Sequence, residues 1–311
     1  MDALNQSAKY SPNPWVIYLS WAALCCLFFW RPLGVLFSYC LHNGNASHIL
    51  LIPLITAALF YTERAKLSKS SMLDVRSALL FAVPAASLWA FSWWGASLQA
   101  DVRLTLIVLS LVLFLVAGFV AIFGWSSAMK VQFPLAFLAF AIPMPEQLLN
   151  RVIYLLQAGS AAVAEQIFEW SGVPVLRDAF VFHLPGLSIA VAPECSGIRS
   201  SMALLILAVL LAHFAFSKFW KKVVFVGAGL AVMVVKNGVR IATLTILATY
   251  VNPDFLYGRL HHDGGVVFFL IGLVLLLPVF WLLRRSEPSA RHSSARSSVH
   301  VAIGRARGYC P

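Results

Sequence analysis

Two runs of the chain, residues 104–123 and 266–283, contain no charged side chain. Each is close to the roughly 20 apolar residues that an α-helix needs to cross the hydrocarbon core of a membrane. Over the whole chain 11% of residues are charged and 60% are hydrophobic, whereas soluble domains carry about 25% charged residues. The chain is therefore predicted to be an integral membrane protein. A single water-soluble domain, a disordered chain and a secreted disulfide scaffold are excluded.

Eight apolar stretches are apparent from their length and composition. They run over residues 14–30, 48–62, 77–98, 104–123, 133–145, 199–216, 223–250 and 264–283. The second and the fifth are short for a full span. We therefore expect an all-α integral membrane protein with about eight transmembrane helices in a membrane domain over residues 1–285. Residues 286–311 are rich in Ser and Arg, and we expect a disordered, basic cytoplasmic tail.

The basic residues predict the orientation in the membrane. If the N-terminus is cytoplasmic, 15 of the 23 Lys and Arg residues fall in the inner loops and tail. Because basic residues are retained on the cytoplasmic side during insertion, both termini are predicted to be cytoplasmic. The same bias explains the formal charge of +11. In a soluble protein that charge would suggest nucleic acid, and here we expect no nucleic-acid partner.

The longest segment on the predicted outer side runs over residues 143–198. Apolar residues recur at helical spacing within 148–156, which predicts an amphipathic helix on the membrane surface, interrupted at Gly172. Residues 179–191 contain two apolar runs joined by a Pro-Gly pair, a pattern typical of a small β-hairpin. The hairpin leads the chain towards Cys195.

Three polar motifs lie at the ends of apolar stretches. They read CSGIR at 195–199, KNGVR at 236–240 and HHDGG at 261–265. Because successive spans run in opposite directions, the predicted topology brings all three motifs to the outer membrane face. We therefore expect them to form one site.

Cys195 is the candidate nucleophile of this site. Ser196 is a good N-cap for the following helix, which would leave Cys195 at the positive helix end and favour its thiolate. Free N–H groups near Gly197 could bind an oxyanion. A buried structural cysteine is the alternative, and the polar neighbours of Cys195 weaken it. The five cysteines contain no C-x-x-C pair, so no metal site and no disulfide framework is expected.

Arg240 and the histidine pair are the other candidates. Arg240 would lower the pKa of Cys195 or bind an oxyanion. Alternatively it is a snorkelling interfacial anchor, a role that Lys236 one turn earlier could also fill. His261 or His262 is a candidate general acid and base. Adjacent residues point in different directions, so only one of them is expected to serve the site. A pair of solvated loop histidines fits the sequence equally well.

The order and context of these motifs resemble the exosortase and archaeosortase family of integral-membrane cysteine transpeptidases. The resemblance covers roughly residues 40–285. It is carried by NASHILLIP at 45–53, FPLAF and IPMP within 133–145, LPG and VAPECSGIRS within 184–200, NGVRI at 237–241, and the spacing of His261, Gly265 and Phe269. The nucleophile segment around Cys195 is the most specific of these.

The resemblance implies a site and a reaction. Cys195 would be the nucleophile, Arg240 its positively charged partner, and His261 the third member, preferred over His262 because Gly265 and Phe269 fit its spacing. No cofactor is implied. Partners would be the lipid bilayer and secreted proteins with a PEP-CTERM-type sorting signal, which combines a short motif, a membrane helix and a basic end. The active site would face outwards from the inner (plasma) membrane. Release to water, as in a thiol protease, or to an amine or another acceptor stays open.

Other functions compete with this one. A polytopic transporter would explain Arg240 within an apolar helix, although no intramembrane carboxylate and no inverted repeat is visible in the sequence. A non-catalytic scaffold for envelope or exopolysaccharide assembly is a second alternative. An intramembrane metalloprotease would need an H-E-x-x-H-type motif, which the sequence lacks.

Overall fold

The structure is a computed structural model that describes residues 13–67, 73–95, 97–185, 187–256 and 265–287, without the side chains of Glu194, Cys195, Pro253 and Leu256. Helices make up most of the described part, and a small sheet accompanies them. The all-α membrane fold class is thereby confirmed. The chain divides into two compact units, Met1–Tyr154 and Leu155–Pro311. The predicted tail lies outside the described residues from position 288 onward, so its disorder stays a prediction.

The described residues of the first unit form seven α-helices that lie wholly within it. They are α1 (Pro14–Phe28), α2 (Trp30–His42), α3 (Ile52–Glu63), α4 (Val75–Trp94), α5 (Ala100–Phe123), α6 (Trp125–Lys130) and α7 (Gln132–Phe137). The uncharged run 104–123 forms most of α5, which is the most deeply buried of the long apolar helices. Phe119 and Phe123 of α5 stack at 4.5 Å between ring centroids. Tyr18 of α1 contacts Phe119 edge-on at 5.3 Å. The core of this unit is therefore built around α5.

A carboxylate caps the start of α4. Asp74 accepts hydrogen bonds from the backbone N–H of Ser77 at 3.1 Å and of Trp125 at 3.3 Å. An acidic N-cap satisfies N–H groups that the first helical turn leaves unpaired. Hydrogen bonds from the Ser77 side chain and backbone hold the pKa of Asp74 below its usual range. The cap also ties the start of α4 to the start of α6.

The described residues of the second unit form three whole α-helices, the larger part of a fourth, and the sheet. Its elements are the part of α8 (Glu146–Trp170) from Leu155 onward, β1 (Leu176–Asp178), β2 (Val181–Leu184), β3 (Leu187–Ala190), α9 (Ile198–Ala215), α10 (Phe219–Tyr250) and α11 (Gly265–Arg285). The helix predicted around 148–156 is α8, which ends just before Gly172, a residue with a φ of +67°. Its location on the membrane surface stays a prediction.

The sheet is antiparallel in the order β1-β2-β3. Strands β2 and β3 are the predicted hairpin, with Phe182 opposite Ile189, and β1 adds a third strand that the sequence pattern did not indicate. Phe182 is fully buried in a cluster that also contains Phe168 of α8 and Ile241 of α10. The sheet is therefore packed on these two helices.

The helices account for fewer spans than the sequence suggests. Among the described residues five helices, α4, α5, α9, α10 and α11, are long and apolar enough to cross a membrane. The count rises to six if α1 and α2, which meet at a bend of 78°, form one span. The second and fifth apolar stretches form helices of 12 residues (α3) and 10 residues (Gln132–Ala141). Such helices rise only about 15–18 Å, which is short of the roughly 30 Å hydrocarbon core.

Candidate active site

The segment that carries Cys195 is held by the sheet and by α8. Cys195 belongs to a short 3₁₀ helix, Pro193–Ser196, that follows β3. Just before it, the N–H of Val191 donates to the carbonyl of Phe180 at 2.8 Å. The carbonyl of Val191 accepts a hydrogen bond from the buried amide of Gln157 on α8. Both backbone groups of Val191 are thus fixed, and the 3₁₀ helix leaves the sheet in a defined direction.

The turn after Cys195 is made by Gly197. This residue has a φ of +69°, and α9 begins immediately after it. The prediction that Ser196 caps α9 is therefore wrong: Gly197 occupies the cap position, without a side-chain cap hydrogen bond. The physical reason is that the chain needs a left-handed residue to pass from the 3₁₀ helix into α9. Ser196 is fully buried, and its hydroxyl makes no hydrogen bond to any described residue.

Gly197 packs directly against α10. A Cβ atom on Gly197 would lie 2.6 Å from Oδ1 of Asn237 and 3.6 Å from Nζ of Lys236. Any side chain at this position would collide with Asn237. The contact joins the first polar motif to the second.

Asn237 is itself held from the opposite side by α8. It is buried, and its Nδ2 donates to Oγ of Ser160 at 3.1 Å. Helices α8 and α10 approach closely at Gly238, where an added Cβ would lie 2.5 Å from Val163 and 2.9 Å from the carbonyl of Ser160. Small residues at this crossing allow the two backbones to come together.

Arg240 lies one turn after Lys236 on α10. It is half-buried, and its Nε atom is inaccessible to solvent. Positions four apart lie on the same helix face. Arg240 therefore lies on the face of α10 that approaches Gly197, one turn further along the helix. The side chain of Cys195 lies outside the described part, and the pairing of Arg240 with it stays a prediction.

The two candidate histidines lie outside the described residues. His261 and His262 both precede Gly265, where α11 begins after a segment outside the described residues. Apart from Gly265, the third motif of the predicted site therefore lies outside the described residues. Its approach to Cys195 and Arg240 stays a prediction.

Lys236 is not an interfacial anchor. Only 1% of it is exposed, so it does not snorkel to the membrane surface. Its Nζ donates instead to Oγ of Ser200 on α9 at 2.7 Å. The sequence contained a signal for this role, namely a lysine within an apolar helix, one turn before an arginine.

Two supporting residues on α8 were not predicted from the sequence. Gln157 and Ser160 are three residues apart, so they lie on one helix face, and both are buried. The available signal was a pair of polar residues on the face of an amphipathic helix that otherwise carries small residues. Which segment they would support could not be told from that pattern.

No curated protein and no solved structure matches this chain. The family model described as transmembrane exosortase (Exosortase_EpsH) matches residues 40–278, which include the Cys195 turn, the α10 motif and both histidines. The long apolar helices agree with a multi-pass membrane protein. With its family model matched over most of its length, the chain belongs to the transmembrane exosortase family.

Proposed function

We propose that this protein is a membrane-embedded cysteine transpeptidase that cleaves C-terminal sorting signals of exported proteins through a thioacyl intermediate on Cys195. Family membership supports a membrane transpeptidase for sorting signals in general. The observation that carries the finer proposal is the contact of Gly197 with Lys236 and Asn237. Through that contact the backbone of the Cys195 segment lies against α10, one turn before Arg240.

In the first step the thiolate of Cys195 attacks the carbonyl carbon of the scissile peptide bond. The new S–C bond creates a tetrahedral oxyanion. Two kinds of donor are proposed to stabilise it: the guanidinium of Arg240, and backbone N–H groups near Gly197 at the start of α9. Such donors stabilise the transition state because negative charge develops where they already point.

Collapse of this intermediate breaks the C–N bond. His261 is proposed to carry the proton released by the thiol to the leaving amine, so that a thioester remains on Cys195. In the second step His261 takes a proton from the incoming nucleophile as it attacks the thioester. The C–S bond then breaks, and the proton on His261 returns to the sulfur of Cys195, which restores the free thiol. Water would yield a free carboxylate, and an amine would yield a new amide bond.

The bilayer contributes to substrate binding. A substrate with its own membrane helix diffuses in the same plane as the enzyme, which raises its effective concentration. We propose that its scissile bond meets the site at the outer interface of the inner membrane. The PEP-CTERM-type signal, with its membrane helix and basic end, fits this geometry.

The test is processing of a tagged exported protein whose C-terminus carries such a signal. We expect Cys195→Ala to abolish its cleavage, because the proposed thioester forms on the sulfur of Cys195. The matched control is Cys26→Ala, since Cys26 is an exposed cysteine in the first unit and should process normally. Trapping a thioester-linked substrate on Cys195 would support the mechanism directly. Normal cleavage by a well-expressed Cys195→Ala protein would refute it.

A further inference from the structure

Lys236 is an unexpected residue in the centre of a long apolar helix. It is the eighteenth of the 32 residues of α10, and only 1% of it is exposed. Burying an ammonium group is costly unless hydrogen bonds or opposite charges compensate. Among the described residues no carboxylate forms an ion pair with Lys236. The burial of this lysine therefore needs another explanation.

Three helices enclose the aliphatic stem of Lys236. An added Cβ on Gly272 of α11 would lie 3.2 Å from Cδ of Lys236 and 3.4 Å from Leu204 of α9. The space for the stem therefore depends on the missing side chain at Gly272. Since α9, α10 and α11 all meet here, the lysine occupies a position that the packing of this unit provides.

The amine of Lys236 is directed to the turn after Cys195. Its Nζ donates to Oγ of Ser200 at 2.7 Å, and that hydroxyl donates to the carbonyl of Gly197 at 3.0 Å. Nζ would also be 3.6 Å from a Cβ on Gly197. A chain of two hydrogen bonds thus connects α10 to the backbone two residues after Cys195.

Lys236 and Arg240 lie one helical turn apart. Like charges at this spacing repel each other, and repulsion in a poorly solvated region is stronger than in water. Negative charge that develops between them and the neighbouring turn would offset this cost. In the proposed reaction that charge is the thiolate or the oxyanion.

We propose that Lys236 is a positioning residue that fixes the Cys195 turn through Ser200 and supplies a buried positive charge beside it. This inference rests on the proposed function. It goes beyond the predicted triad because Lys236 acts through Ser200 and Gly197 rather than by touching the substrate.

The experiment measures initial rates of cleavage of the tagged sorting-signal protein by the full-length enzyme in proteoliposomes. Lys236→Met keeps most of the stem and removes the charge, and we expect its kcat to fall at least tenfold with KM within about twofold. Lys236→Arg keeps the charge and should recover part of the lost kcat. A purely structural role would instead lower the amount of folded enzyme without this pattern. Equal kcat for the Met and Arg variants, or a Met variant within twofold of wild type, would overturn the proposal.

A second pair of variants tests the hydrogen-bonded connection even if Lys236→Met does not fold. Ser200→Ala removes one oxygen from the connection and should lower kcat with little change in KM. Ser201→Ala is the matched control, because the buried Ser201 hydroxyl makes no hydrogen bond to any described residue. Equal effects of the two substitutions would contradict the proposal.

Two outcomes distinguish failure of the proposed function from failure of the inference about Lys236. If the Cys195→Ala variant cleaved normally, the proposed function would fail. If Cys195→Ala were inactive while the Lys236 and Ser200 variants matched wild type, only the inference about Lys236 would fail.

Discussion

At the scale of single residues, the candidate site depends most on Gly197. It combines a left-handed backbone with direct contact to Asn237 of α10. Other residue types raise the conformational energy of a left-handed backbone, because their Cβ atom lies too close to the carbonyl oxygen. The residue is needed both for the turn into α9 and for the close approach of two motifs that are 40 positions apart in the chain.

We therefore expect Gly197→Ala to inactivate the enzyme and to lower its melting temperature. Gly172→Ala is the matched control, because Gly172 has a similar φ of +67° but nothing within 4 Å of an added Cβ. Both variants should lose about 1–2 kcal/mol through backbone strain, and only Gly197→Ala should also disturb Asn237. The measurements are thermal unfolding in detergent and substrate cleavage. Equal unfolding temperatures and equal cleavage for the two variants would show that the contact does not matter.

At the scale of elements, the crossing of α8 and α10 supports the site. Gln157 donates a hydrogen bond to the carbonyl of Val191, just after β3. Ser160 accepts a hydrogen bond from Asn237, and Gly238 lets the two helices approach. These contacts connect the segment before Cys195 and the helix that carries Arg240 to the same face of α8. A displacement of α8 would therefore disturb both partners together.

Gly238→Ala should push α8 and α10 apart, because the added Cβ would lie 2.5 Å from Val163 and 2.9 Å from a backbone carbonyl. Overpacking of this kind costs about 1–3 kcal/mol, so we expect a lower melting temperature together with reduced cleavage. Gly227→Ala lies on the same helix with nothing within 4 Å, and alanine is the better helix former. Its melting temperature should stay unchanged or rise. A loss of stability as large as that of Gly238→Ala would contradict the packing argument.

At the scale of the whole molecule, the number of spans decides where the two termini lie. An even number returns the chain to the side where it began, and an odd number does not. Eight spans were expected from the sequence, and the described residues provide five, or six if α1 and α2 form one bent span. The bend between α1 and α2 is thus directly relevant to the topology.

The distribution of basic residues predicts that both termini are cytoplasmic. Both termini can lie on the same side only if the number of membrane spans is even. A phosphatase that is active only outside the inner membrane should be inactive when fused after Arg285. The same reporter should be active when inserted at Gly172, in the predicted outer segment. The complementary reporter, fluorescent only in the cytoplasm, should give the opposite pattern. Activity of the phosphatase after Arg285 would show that the predicted orientation or the even count is wrong.

The long helices and the hairpin could be predicted from sequence because their signals are local. A span needs only a continuous apolar run, and the ends predicted for α4, α5, α9, α10 and α11 lie within a few residues of those observed. The hairpin needed only two apolar runs and a turn. Errors arose where length or backbone conformation decided the outcome, as in α3, in the strand β1 and in the cap at Gly197.

The sequence by itself determined that this chain is a membrane protein, which family it resembles, and which polar motifs are the candidates for its chemistry. It could do so because hydropathy and motif order are read along one stretch of chain at a time. Only the tertiary structure decided that Lys236 is buried beneath the Gly197 turn, that Ser200 connects them, and that Gln157 and Ser160 support the site from α8. Those facts depend on which faces of separate helices meet, and helix faces are paired by packing between residues far apart in sequence.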